Sequence, residues 1–293
     1  MLADFLLIAM NGLVWAMAVF LVASGLTLIF GILHILNFSH GGFMMIGAYL
    51  AFTIINLTSG TVGVAAFLGI ALLCALAVGA MGFIVDRVVF KRLKGVDDSY
   101  SLIATYAVLL LCEGAVKSVW GPNFESVYPP EGLGGALFLG DLFMPSYALF
   151  VIGAGILVYL ALDFWLHWTA SGKIMKSVAL DPWMASLLGI NVNAIFTVAV
   201  VAGFALAGLA GGLLAPNQSL SPMMGGSYII QAFGVIIVGG IGNVRGAFLA
   251  AILLGLIDAF GTVYVPQFPG IFFFIAVAVI ILFRPQGLLS GIR

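Results

Sequence analysis

The sequence predicts an all-α polytopic membrane protein: one transmembrane domain over residues 1–293, a bundle of eight or nine helices with short or re-entrant segments. Three observations predict it. Of the 293 residues, 63% are hydrophobic and only 7% are charged, whereas a water-soluble domain averages roughly 45–50% apolar and about 25% charged residues. Continuous apolar runs such as 5–30 exceed the roughly 20 residues that a helix needs to cross a bilayer. The net charge of -1, from 10 Lys+Arg against 11 Asp+Glu, lacks the basic excess that nucleic-acid binding requires. A soluble enzyme, a nucleic-acid binder and a disordered scaffold are excluded.

The first span, near 5–32, is too long for a signal-peptide core and carries Asp4 instead of a basic leader, so it reads as a retained helix. Further spans fall near 43–58, 62–85, 101–119, 145–166, 194–215, 227–240, 247–263 and 268–283. The second and seventh are short for a full crossing, as re-entrant or interrupted segments are. Arg87, Lys91, Arg92 and Lys94 follow the third span, and Lys173 and Lys176 follow the fifth. The positive-inside bias puts these loops in the cytoplasm, with Arg245, Arg284 and Arg293 on the same side. The stretch 121–144 carries Glu125, Glu131 and Asp141 but no Lys or Arg, and its prolines suit an irregular extracytoplasmic loop. With nine spans the N-terminus lies outside and the C-terminus in the cytoplasm.

Cys74 and Cys112 fall inside apolar runs and read as packing residues, without a disulfide framework or metal site. In the sixth span Gly203, Ala207 and Gly211 recur every four residues, as do Gly208 and Gly212, which marks tightly packed faces.

Polar residues are few enough to be read singly. Asn37, Ser39 and His40 cluster beside Gly41 and Gly42 between the first two spans. Polar backbone at membrane depth needs protein or a water-filled cavity to satisfy it, so this is either a pore-lining or gating break, or an ordinary cytoplasmic turn. The glycine pair suits positive φ or close backbone contact. A similar order recurs at Asn217, Ser219, Gly225 and Gly226, which suggests a weak inverted repeat of 5–58 in 194–240. Glu113 lies four residues before Lys117, the favourable order for a helical ion pair. Asp258 lies inside the eighth span. Both carboxylates are candidates for function, with hydrogen bonding inside the bundle as the alternative to a proton relay.

The cytoplasmic segment 171–193 holds a short amphipathic helix. Asp181 suits its N-cap and Pro182 its first position, Trp183, Met184, Leu187 and Leu188 give it an apolar face, and Gly189 stops it. Such a surface docks on a partner protein or lies in the lipid interface. No H-E-x-x-H, G-x-S-x-G or P-loop pattern is present, so the chain carries no P-loop ATPase of its own.

Five segments, in order, resemble one family. They are Gly25 to Tyr49 with Asn37-Phe-Ser-His-Gly41 at its centre, Met184-Ala-Ser-Leu-Leu-Gly-Ile-Asn191, Ala205 to Gly212, Gly239-Gly-Ile-Gly-Asn-Val-Arg-Gly246, and Arg284-Pro-Gln-Gly-Leu288. They are similar to the LivH-type permease subunits of branched-chain amino acid ABC importers. The resemblance implies a multi-pass subunit of a bacterial-type inner membrane that provides half of a path for branched-chain or related small amino acids. Urea, amides or aromatic acids are the substrates of other members. It implies a second homologous permease, two cytoplasmic ATPase subunits and an extracytoplasmic substrate-binding protein. No cofactor is implied on this chain, ATP and magnesium being held by the ATPases. Lys173 to Asn191 would be the coupling region. Asp181-Pro-Trp stands where the family often has a charged pair.

Two rivals come from the residues alone. A secondary transporter would use His40, Glu113 and Asp258 as a proton path, and a passive channel would use Asn37 and Ser39 as a constriction. Neither accounts for the amphipathic segment after Asp181.

Overall fold

A computed structural model describes residues 2–58, 60–93, 95–139 and 142–289. Lys94, Asp141 and Arg293, three charges used above, fall outside them. Helix α1 (Leu2–Leu33) is apolar on every side and buried from Ala16 to Ala23, the pattern of a central helix. It stops at His34, whose φ of 57° is left-handed and whose N–H donates to the Phe30 carbonyl, a common helix ending. Helix α2 spans Ser39–Leu57. Helix α3 (Val64–Val85) does not end where expected, but continues through a π turn, Asp86–Phe90, into Lys91–Leu93. Helix α4 (Asp98–Trp120) is capped by Asp97, which accepts the Ser99 N–H at 2.9 Å, as first-turn donors require. Helix α5 spans Ser146–Trp168, α6 Ala170–Leu180 and α7 Pro182–Leu187. Helix α8 (Val192–Leu214) starts on the Asn191 cap and α10 (Val244–Tyr264) on the Asn243 cap. Between them lies α9 (Met224–Gly239), and α11 (Ile271–Phe283) comes last.

Among the described residues, seven helices are long and apolar enough to cross a membrane. The other two apolar helices are α9, with 16 residues, and α11, with 13. The ninth expected span therefore starts later than its apolar run, because Pro269 and the left-handed Gly270 (φ 78°) hold the chain out of helix until Ile271. The loop before α5 is also more ordered than its prolines suggest. It contains an antiparallel hairpin, β1 (Ala136–Leu139) with β2 (Leu142–Pro145), with Phe138 and Phe143 ring centroids 5.6 Å apart.

Glycine decides how the helices meet. Helices α1 and α10 run antiparallel: a methyl group on Gly12 would lie 2.9 Å from the Gly255 carbonyl oxygen, and one on Gly31 would lie 2.6 Å from the Gly242 Cα. Helices α3 and α8 are antiparallel in the same way, Gly212 facing Ala71, Gly208 facing Val78 and Gly79 facing Ala205. The small-residue faces read from the sixth span are thus contact faces, as helices in lipid use them. Cys74 belongs to this contact, and both cysteines are buried and free.

The contacts are reciprocal in a way that reveals the repeat. Gly25 of α1 and Gly203 of α8 each press on the other's carbonyl, and so do Gly41 of α2 and Gly225 of α9. Helices α2 and α9 run in opposite directions, with Phe38 4.8 Å from Phe233 between ring centroids. Helix α10 packs on α1 as α3 packs on α8; α9 packs on α1 as α2 packs on α8; α11 packs on α9 as α4 packs on α2. The bundle is therefore two four-helix halves of opposite direction, α1–α4 and α8–α11, joined by α5, α6 and α7. Their breaks differ in length, residues 34–38 against 215–223. Arg87, Lys91, Lys176, Arg245 and Arg284 all lie toward one end of the bundle, here termed the basic end.

Candidate functional site

The first break lies inside the bundle. Donation by His40 Nε2 to the Val22 carbonyl oxygen at 3.0 Å places the start of α2 beside a point well before the end of α1 at Leu33, roughly 16 Å back along its axis at 1.5 Å per residue. An ordinary turn at the membrane surface does not reach there. Asn37, Ser39 and His40 are fully buried, and the Ser39 hydroxyl donates to Asn37 Oδ1 at 2.5 Å. Asn37 Nδ2 and His40 Nδ1 are buried without a partner among the described residues, an arrangement that ordinary cores avoid. Gly41 and Gly42 are helical, not left-handed, so of the two reasons for glycine only close contact holds. Gly41 meets the Gly225 backbone, and a methyl group on Gly42 would lie 2.9 Å from Cys112 Cβ.

The second break begins with a 3-10 turn, Ala215–Asn217, and ends where α9 starts. Asn217 and Ser219, the two candidates here, are exposed. The inward polar group is Gln218, whose Oε1 accepts the Tyr228 hydroxyl at 2.5 Å and whose Nε2 is buried without a partner among the described residues. Next to it Leu220 exchanges two backbone hydrogen bonds with Glu125, at 2.7 and 3.0 Å. The loop opposite the basic end thus clamps this break, and the Tyr147 hydroxyl holds α8 from the other side through the Leu213 carbonyl at 2.6 Å.

The two intramembrane carboxylates differ in role. Asp258 Oδ1 accepts the Phe273 N–H at 3.1 Å, so α10 caps the first turn of α11 from outside, the hydrogen-bonding alternative to a relay. Glu113 makes no ion pair with Lys117 among the described residues. It faces α9 instead, its Oε1 3.7 Å from where a Gly226 methyl would stand. A third carboxylate, Asp86, is buried in the π turn of α3, accepts the Thr197 hydroxyl at 2.6 Å and lies 3.5 Å from Lys91 Nζ. An aspartate at the end of an apolar run was its only signal.

The amphipathic segment has the local structure its residues dictate. Asp181 accepts the Met184 N–H at 2.9 Å, Pro182 opens α7, and Gly189 ends it at a φ of 82°. Ala185 faces the bundle, while Trp183, Met184, Leu187 and Leu188 point outward, Leu188 being 75% exposed. Behind it, Lys173 is on the outer side of α6 and Lys176 lines a cavity of about 110 Å³ with His34, Met175 and Leu180. Burial, then the nearby Arg245 charge, holds the Lys176 ammonium below its ordinary value, with Asp163 opposing. Arg245 grips Asp163 in a two-point bond, at 2.6 and 2.9 Å, and His167 lies 3.1 Å from the same carboxylate. The start of α10 and the end of α5 are thereby tied together behind the exposed helix.

Residues 8–283 match the family described as branched-chain amino acid transport system / permease component. The chain belongs to this family. It is 31% identical to the high-affinity branched-chain amino acid transport system permease protein BraD of Pseudomonas aeruginosa, over 96% of this chain and 94% of that protein. It is 28% identical to the corresponding protein LivH of Escherichia coli K12, again over 96% and 94%. A fructose import permease protein, FrcC of Rhizobium meliloti, is 30% identical over 41% of this chain and 36% of its own length. No solved structure matches the chain.

The segments that resemble the family now have physical reasons. Asn37 to Gly41 is the first break. Gly239 to Gly246 is the tight turn between α9 and α10, where Gly240 (φ 102°) and Gly242 (φ 74°) are left-handed and Gly239 touches Gly246. Arg284 to Leu288 begins a strap beneath α9: Leu288 N–H donates to the Val238 carbonyl at 2.7 Å and Leu289 N–H to that of Gly239 at 3.3 Å.

Proposed function

We propose that the chain is one of two permease subunits of an ATP-driven importer for branched-chain amino acids, with the basic end and the C-terminus in the cytoplasm. The observation that carries this reading is α7, a capped helix that, together with its C-cap Leu188, turns four large apolar side chains away from its own bundle. A groove on a cytoplasmic ATPase suits that face. Two ATPase subunits would bind ATP and magnesium, and a binding protein would deliver the amino acid to the opposite end. Nucleotide-driven closure would then switch the path between inward and outward access through its differential contacts with α6 and α7. Substrate choice would rest largely with the binding protein. Replacing Leu187 and Leu188 together by Asp is expected to strip the ATPases from the purified complex while the permease stays in the membrane, since charge resists burial in an apolar groove. Unchanged ATPase retention and uptake would overturn the assignment of α7.

A further inference from the structure

The outward faces of the bundle are of two kinds. Helices α3 and α5 turn out Leu72, Leu76, Leu157 and Phe164, a wall suited to lipid tails. Helix α9 carries Ser227, Ile230 and Gln231 on its outward side, between Met223 just before its start and Ile237 near its end, in a trough between α4 and α11. On the α4 wall, Glu113 reaches toward Gly226 and has neither an ion pair nor a hydrogen bond among the described residues. On the α11 wall, Gln231 lines a cavity of about 770 Å³ together with Asp258, Gln267 and Trp15. Polar and ionisable side chains at membrane depth face a water-filled cavity or another protein, not lipid. The lengths agree: α9 and α11 have 16 and 13 residues, about 24 and 20 Å at 1.5 Å per residue. That is a poor wall for a hydrocarbon layer roughly 30 Å thick.

We propose that the trough over α9 is the water-filled face along which the solute passes, closed on its open side by the second permease, and that Glu113 meets the ammonium group of the solute. An unpaired carboxylate selects a cation, and a half-buried one without a protein partner is free to supply its hydrogen bonds to a passing ligand. The hydration of the trough rests on Glu113, Ser227 and Gln231; the amino acid as solute rests on the importer reading.

The test uses the complete assembly, permeases, ATPases and binding protein, in proteoliposomes, with Cys74 and Cys112 replaced by Ala. Single substitutions Ser227→Cys, Ile230→Cys and Gln231→Cys are compared with Leu72→Cys and Leu157→Cys. A charged, membrane-impermeant methanethiosulfonate should label the trough positions at least about tenfold faster than the wall positions, because only a hydrated thiol ionises and reacts. Equal rates would overturn the trough. Glu113→Gln is expected to cut leucine uptake about tenfold or more with ATPase copurification unchanged, and Glu113→Asp to keep most of it, since the charge is retained. Unchanged uptake in Glu113→Gln would overturn the ammonium role. If the unsubstituted assembly takes up no leucine while the trough still labels, the importer reading fails and the trough stands.

Discussion

Gly41 and Gly69 are both helical and differ sharply in what an added methyl group would meet. At Gly41 it would meet the Gly225 backbone and lie 2.9 Å from Ile229 Cβ, whereas at Gly69 nothing lies within 4 Å. Gly41→Ala should therefore cost about 1–3 kcal/mol through overpacking, and Gly69→Ala should be neutral or stabilise by up to ~1 kcal/mol through helix propensity. Thermal unfolding of the two variants in detergent checks this, and equal shifts would contradict the packing account. Asp258 offers a second case. Asp258→Leu should lower stability by about 1 kcal/mol by removing the cap on α11, while Asp258→Asn keeps an acceptor and most of the stability; melting of both variants separates the cap from any role for the charge. Buried polar residues were legible where a short polar cluster interrupts two long apolar runs, as at Asn37, Ser39 and His40. Gln218 was not, because three polar residues follow one another there, and only the 215–217 turn decides which faces inward. The Glu113–Lys117 spacing failed for a related reason: the pairing rule describes an isolated helix, and α9 competes for the glutamate's side of α4.

Helix α7 is the element whose start and stop were most clearly written, since Asp181, Pro182 and Gly189 each act through their own backbone. Asp181→Ala should fray it at a cost of about 1 kcal/mol and weaken ATPase retention, with Asp181→Ser restoring both. Copurification of the three proteins from one membrane preparation reads the effect, and normal retention in Asp181→Ala would mean that partner contacts alone order the helix. Helix α3 was misread at its end because Asp86, Arg87 and Lys91 look like a loop. Burial of Asp86 against Thr197 keeps that stretch wound, and such a contact between distant residues leaves no local trace. Apolarity likewise marked where α11 could run, while Gly270 determined where it does.

At the scale of the whole molecule, the chain's last described residues hold a helix that ends in mid-sequence. Val238 and Gly239 would otherwise be left with unpaired terminal carbonyls, a cost native folds avoid. A chain cut after Arg284 should lose about 0.5–1.5 kcal/mol for each of these two bonds, seen as faster hydrogen exchange at Gly240 and Asn243; unchanged protection there would show that the strap is dispensable. The two-half plan was visible in the sequence as a loose echo of glycines and polar residues, and its proof needed the reciprocal Gly25–Gly203 and Gly41–Gly225 contacts, which join positions far apart in the chain. The single helix α5 has a consequence of parity. Four passes return the chain to the face from which it set out, so a second half attached directly would enter facing the same way as the first. One extra pass makes the count odd and turns the copy upside down. Without α5, Arg87 and Arg245 would end on opposite faces of the membrane, and Gly41 would have no counterpart descending to meet it.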